Sequence, residues 1–154
     1  IKNVKTDYFC IFNADGSFNP SEISGMYNSL KDKGGDIIFG SRYEKNATSE
    51  DDTLVTIVGN FIFTKLGKIL FRLPITDILY TFVLGKTKKT LDLNLQSQDF
   101  AFCVELPIKA QRKNYKIFSI PAHERARIAG KKKVNAIRDG LYILKKMIFM
   151  FLKN

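Results

Sequence analysis

The run at residues 8–12 reads YFCIF and stops abruptly in Asn13-Ala14-Asp15-Gly16-Ser17, with Pro20 close behind. A short, uninterrupted apolar stretch bounded by turn residues is the pattern of a fully buried β-strand. Buried strands of α/β proteins deliver polar groups at their carboxyl ends, where ligands bind. The same pattern recurs in DIIFGSR at 36–42 and YKIFSIP at 115–121. Helix-length segments lie between and after these strands. The first opens at Pro20, with Asn19 placed to cap it, and Gly34-Gly35 stops it. The others are 54–72, VELPIKAQRKN at 104–114, and 134 to about 153, with a turn and a further short element in LPITDILYTF at 73–82. Strand, helix, strand, helix, helix, strand, helix is the order of an α/β domain.

The chain has 154 residues, the length of one ordinary domain, and its 45% apolar content supplies a real core. Its formal net charge of +10 predicts an anionic partner: phosphate, nucleic acid or an acidic membrane surface. Cys10 and Cys103 lie far apart in apolar segments and read as buried thiols in a reducing compartment. The sequence opens IKNVKTDYF, without an initiator methionine, and reads as the cut edge of a longer protein. No internal repeat or low-complexity tract is visible.

Two segments are apolar enough to concern a membrane. The run at 54–72 is helical in length, but Thr56, Asn60, Thr64, Lys65 and Lys68 interrupt it. It reads as a core or interfacial helix and not as a span. The last helix sets Val134, Ile137, Leu141, Leu144, Ile148 and Phe151 at spacings of three and four, an amphipathic stripe. It ends in KKMIFMFLKN, an apolar run too short to span a bilayer and flanked by lysines. That suits an interfacial segment, and the alternative is ordinary packing on the domain.

The loop at 13–17 admits three readings. As NADGS it has the outline of the nucleophile loop of haloacid dehalogenase-type phosphatases, but the nucleophile position is Asn13, and a carboxamide cannot form an aspartyl-phosphate. As a metal–diphosphate site it offers the Asp15 carboxylate, with neutral oxygens from Asn13 and Ser17. Hard divalent cations bind through one or two carboxylates plus substrate phosphates. The third reading is an Asx-type turn with no ligand.

Further motifs follow in order: GSRY after the second strand, Gly59-Asn60 in the long apolar helix, LPITD, FAFCVELPIKA, YKIFSIPAHERARIAGKKKVN and IRDGLYIL. Together, from Asp7 to about Leu144, they resemble the carboxyl-terminal half of family-2 glycosyltransferases of the GT-A fold. The nearest look-alikes are the polyprenyl-phosphate sugar transferases typified by dolichol-phosphate mannose synthase. The Pro-x-x-Asn-Glu-like loop and the Asp-Asp-Gly-Ser segment that open such enzymes do not occur in this sequence. The resemblance therefore implies a partial GT-A catalytic domain at 1–133, lacking its amino-terminal nucleotide-binding half, followed by an amphipathic helix at 134–154.

The resemblance also assigns roles. Asp15 matches the second, metal-binding aspartate of an Asp-x-Asp motif, and Asn13 replaces the first. Asp77 matches an aspartate beside the transfer centre, although Tyr80-Thr81-Phe82 stands where relatives carry Ser-Gly-Phe. Glu105 matches a glutamate near the same centre. Arg127, Gly130 and Lys133 match a phosphate-binding Arg-x-x-Gly-x-Ser-Lys pattern, with Lys132 for the serine and Arg125 just upstream. Read without the resemblance, Asp77 is a helix cap and Glu105 an exposed first-turn residue. The cationic loop is then a solvated charge run. A nucleic-acid patch fits it poorly, because no aromatic residues interleave the cations from Arg125 to Lys133. His123, the one histidine, carries no assigned chemistry.

The implied reaction moves a sugar, with inversion, from a nucleotide diphosphate sugar to a polyprenyl phosphate. Mg2+ or Mn2+ assists, and the enzyme sits peripherally on the cytoplasmic face of an anionic membrane. The rival from another class is a non-catalytic basic module that binds nucleic acid or anionic membrane; its signature is a steep fall of nucleic-acid affinity with salt.

Overall fold

The computed structural model describes residue 1, residues 3–129 and residues 135–153. In chain order its elements are β1 (Tyr8–Ile11), α1 (Glu22–Asp32), β2 (Ile37–Ser41), β3 (Thr48–Ser49), α2 (Leu54–Phe71), β4 (Val83–Lys86), α3 (Thr87–Asp92), α4 (Phe102–Arg112), β5 (Ile117–Pro121), β6 (His123–Glu124) and α5 (Ala136–Leu152). Four strands make a mixed sheet in the order β1-β4-β2-β5. β4 runs antiparallel to both β1 and β2, whereas β2 and β5 are parallel. The short β3 and β6 pair in parallel, with Thr48 opposite His123, and hold the polar loop around residue 50 beside the cationic loop.

The sheet separates two apolar layers. Phe18, Met26 and Leu30 pack with Ile38, Phe82 and Leu84 on the α1 side. Ile37, Phe39, Val104, Ile108, Ile143 and Met147 form the core on the other side. All five residues of β2 are buried, as its continuous apolar run requires. β1 corrects the expectation of a fully buried strand: only Phe9 is buried, because β1 is an edge strand paired with β4 alone among the described residues. β4 itself was not legible as a strand. Gly85 lowers its strand propensity, yet the fold needs a glycine there. A Cβ at that point would lie 3.1 Å from Phe9 Cε1 and 3.2 Å from Ile37 Cγ1.

α1 begins at Glu22 and not at Pro20. The Asn19 side-chain oxygen instead accepts from the Ser21 N–H at 3.2 Å and the Ser21 hydroxyl at 2.9 Å, which makes an Asx turn ahead of the helix. Gly34, at φ +59°, ends it as expected. Both cysteines are free; Cys103 is buried and Cys10 half-buried. Burial pushes their thiols up to about 12 and about 11 respectively.

The two helices flagged for a membrane face opposite to convention. In α2 the buried residues are Asn60, Thr64 and Gly67. Asn60 Oδ1 accepts the Leu79 N–H at 3.1 Å, Thr64 Oγ1 accepts the Ile78 N–H at 3.2 Å, and Gly67 packs against Leu73 and Ile78. Leu54, Val55, Ile57, Val58, Phe61, Ile62 and Ile69 point out, with Leu54 80% and Phe61 65% exposed, while Phe63, Leu66 and Phe71 pack partly against the core. By length and composition alone, with a mean hydropathy of 1.6, α2 is long and apolar enough to cross a membrane despite its interrupting polar residues. α5 buries Ile143, Met147 and Met150 against the domain. The stripe of Ile137, Leu141, Ile148 and Phe151 is therefore its exposed face, not its packing face. Val134 lies outside the described residues.

Candidate active site

Beyond β1 the chain turns at 13–17. Asp15 Oδ1 accepts both the Ser17 N–H at 3.1 Å and the Ser17 hydroxyl at 2.7 Å. Gly16 makes the turn possible: its φ is +85°, and a Cβ there would fall 2.7 Å from Ile128 Cδ1. The loop is fastened to the segment after β6. The Arg125 N–H donates to Ser17 O at 2.9 Å, and the Ile128 N–H to Asp15 O at 3.0 Å. That brings Arg127 Nη1 to 3.4 Å from Asp15 Oδ2, while its Nε reaches Asp51 Oδ2 at 3.1 Å. Partial burial raises the Asp15 pKa, but the Ser17 hydrogen bonds and the Arg127 charge outweigh it and hold the carboxyl below its usual range.

A second cluster forms where β2 ends. Arg42 grips Asp77 with two side-chain bonds, Nε to Oδ2 at 2.8 Å and Nη2 to Oδ1 at 3.1 Å. Its Nη1 meets Asp52 Oδ1 at 2.9 Å and Glu124 Oε2 at 3.3 Å, and its planar face lies 4.7 Å from the Tyr80 ring centroid. Asp77 is wholly buried and also accepts the N–H groups of Arg42 and Tyr80. One guanidinium thus serves three nearly buried carboxylates. Burial disfavours its charge, but the bonds to Asp77 and the charge of Glu124 win and raise its pKa further.

The two clusters share a wall of a cavity of about 570 Å³. Asn13, Arg42, Asp51, Asp52, Glu124 and Arg127 make that wall polar. The remainder is largely aliphatic: Leu54, Val55, Val58 and Ile62 of α2 face Ile137, Gly140 and Ile143 of α5. Because the outer surfaces of both helices are apolar, the aliphatic wall runs on into an exposed apolar face.

The structure brings Asn13, Asp15, Arg125 and Arg127 together, with the Arg125 side chain exposed. Asp77 stands behind Arg42, where it positions that guanidinium. Glu105 is not on the cavity wall. It is 1% exposed and accepts the N–H groups of Gln96 at 3.0 Å and Ser97 at 2.7 Å, with Lys109 Nζ at 2.6 Å and Lys146 Nζ at 3.7 Å. Gly130 and Lys133 lie outside the described residues. Sequence reasoning missed Arg42, Asp52 and Glu124 as site residues. The available signal was an arginine directly after the most buried strand, and paired acids before an apolar helix.

Among the described residues no group of three or more His, Cys, Asp or Glu side chains is arranged to hold a metal. The oxygen donors that the loop could offer a hard cation are one carboxylate of lowered pKa at Asp15 and, on the cavity wall, the carboxamide oxygen of Asn13; such a cation would need substrate phosphate oxygens as its further ligands.

A sequence model of the family described as glycosyl transferase family 2 matches residues 1–93, more than half of the chain. The chain belongs to that family, and its mixed α/β architecture is consistent with a glycosyltransferase domain of this kind.

Proposed function

We propose that the protein transfers a sugar from a nucleotide diphosphate sugar to a polyprenyl phosphate, with inversion, at the cytoplasmic face of a membrane. One observation carries this reading: a single cavity joins a polar wall beside the Asp15 loop to an aliphatic wall built from two outwardly apolar helices. A water-soluble acceptor would not call for the second wall. The resemblance to polyprenyl-phosphate sugar transferases points the same way.

The acceptor phosphate is already an anion at neutral pH and needs little help from a general base. Catalysis then rests on stabilising the departing diphosphate. Asp15 and Asn13 would hold a divalent cation, Mg2+ or Mn2+, which when bound neutralises charge on that group. Arg127 contributes a guanidinium able to bind phosphate oxygens in pairs, and Lys133 a point charge. Asp77 acts through Arg42, fixing its plane against the cavity wall. Glu105 shapes the loop at 94–97 and ties it to α4. The aliphatic wall excludes water, so that the glycosyl group passes to the lipid phosphate and not to solvent.

The test is an assay of the full-length protein with labelled nucleotide sugars, polyprenyl phosphate and Mg2+ or Mn2+, followed by organic extraction. Label in the lipid phase that disappears with a chelator supports the reading; metal-independent transfer to a soluble acceptor contradicts it.

A further inference from the structure

Three helical glycines of α2 and α5 pose one question. A glycine inside a helix is less favourable than alanine and needs a reason to be there. Gly67 has one in packing: a Cβ would lie 3.0 Å from Leu73 Cδ1 and 3.1 Å from Ile78 Cδ1. Gly59 and Gly140 have none. A Cβ at Gly59 would meet nothing within 4 Å, and one at Gly140 only the Phe63 ring at 3.8 Å. Both nevertheless line the cavity, one from each of the two helices that form its aliphatic wall. Both leave their stretch of the cavity wall without a side chain.

We infer that Gly59 and Gly140 determine acceptor specificity, keeping the groove between α2 and α5 wide enough for the methyl-branched isoprenoid chain next to the acceptor phosphate. The inference rests on the lipid-acceptor reading above. The groove matches such an amphiphile in having a polar wall and an aliphatic wall. The Arg127 guanidinium complements a phosphate at the polar wall, Val58 and Ile62 complement the chain, and the mouth opens on exposed Leu54 and Ile137. An isoprenoid is broader than a straight alkyl chain, so a groove whose wall carries no side chain at Gly59 and Gly140 favours it.

The experiment compares G59L, G140L and G25L in the full-length protein. Gly25 of α1 also has open space around it but faces away from the cavity, so G25L controls for the loss of a helical glycine. Binding of a fluorescent polyprenyl phosphate and of an unbranched alkyl phosphate is measured beside the KM for the nucleotide sugar. The melting temperature of each variant is also recorded. G59L and G140L are expected to weaken polyprenyl phosphate binding about tenfold or more, the scale on which pockets reject excess bulk. Alkyl phosphate binding, donor KM and melting temperature should hold, and G25L should match the wild type. Variants that fold and bind polyprenyl phosphate as the wild type does overturn the groove assignment alone. If G59L or G140L fails to fold, G59A and G140A carry the test, with a smaller loss in the same direction. A wild type that binds no polyprenyl phosphate removes the lipid-acceptor reading and this inference with it.

Discussion

Asp15 and Arg127, at opposite ends of the chain, meet with Arg127 Nη1 3.4 Å from Asp15 Oδ2. The contact joins the candidate metal ligand to the candidate phosphate ligand. Asp15 would hold a cation whose charge, together with the Arg127 guanidinium beside it, would neutralise a diphosphate. Asp15→Asn should therefore abolish metal-dependent transfer while leaving the fold intact, and Asn13→Asp should be tolerated. A magnesium or manganese titration with unchanged turnover in Asp15→Asn would contradict the role. Because the carboxyl is held below its usual range, metal dependence should persist into mildly acid buffers and fade only as Asp15 takes up its proton.

Arg127→Ala and Lys133→Ala should each lower transfer more than Lys131→Ala. Equal losses at all three positions, read from initial rates, would indicate a diffuse electrostatic patch.

The Arg42 cluster predicts a large stability loss when either side of it is removed. Asp77→Ala leaves the guanidinium without its closest partner, and loss of one member of a buried pair costs about 3–5 kcal/mol. Arg42→Ala leaves Asp52, Asp77 and Glu124 crowded without a cation and should cost at least as much. Denaturant melts of both variants at neutral pH check the loss.

Glu105 predicts a pH dependence of stability. Burial would raise its pKa, but Lys109, Ser97 and Gln96 pull it down to about 2 from 4.5. Its contribution is complete above pH 4.5 and is lost as pH falls toward 2. Glu105→Gln should lose about 1–3 kcal/mol at neutral pH and show a flatter acid limb.

How far these features could be read from residues alone varies. The buried run of β2, the Gly34 stop and the extent of α2 follow from local pattern. So does the special character of the Asp15 turn. The facing of α2 and α5 does not, because periodicity sets where a stripe lies on a helix and not which way it turns. Asn60 and Thr64 turn inward because they satisfy the N–H groups of Leu79 and Ile78, partners distant in sequence. β4 escaped notice because its glycine answers to Phe9 and Ile37 across the sheet. The Arg42 cluster needs four segments at once, and no local window contains them.

The outward apolar faces of α2 and α5 predict peripheral binding to anionic membrane. Leu54→Glu and Phe61→Glu sit on exposed positions and should change stability by no more than about 0.5 kcal/mol. Each should weaken sedimentation with anionic liposomes. Truncation after Leu144 should do the same, and added salt should weaken binding only in part, since apolar insertion persists when charge is screened.

The measurement closest to the central claim is transfer of labelled sugar into the lipid phase by the full-length protein, with polyprenyl phosphate present or absent. The account predicts lipid-phase label that requires polyprenyl phosphate and a divalent cation and is lost in Asp15→Asn. Label that accumulates equally without the lipid phosphate, or that survives Asp15→Asn, would contradict it.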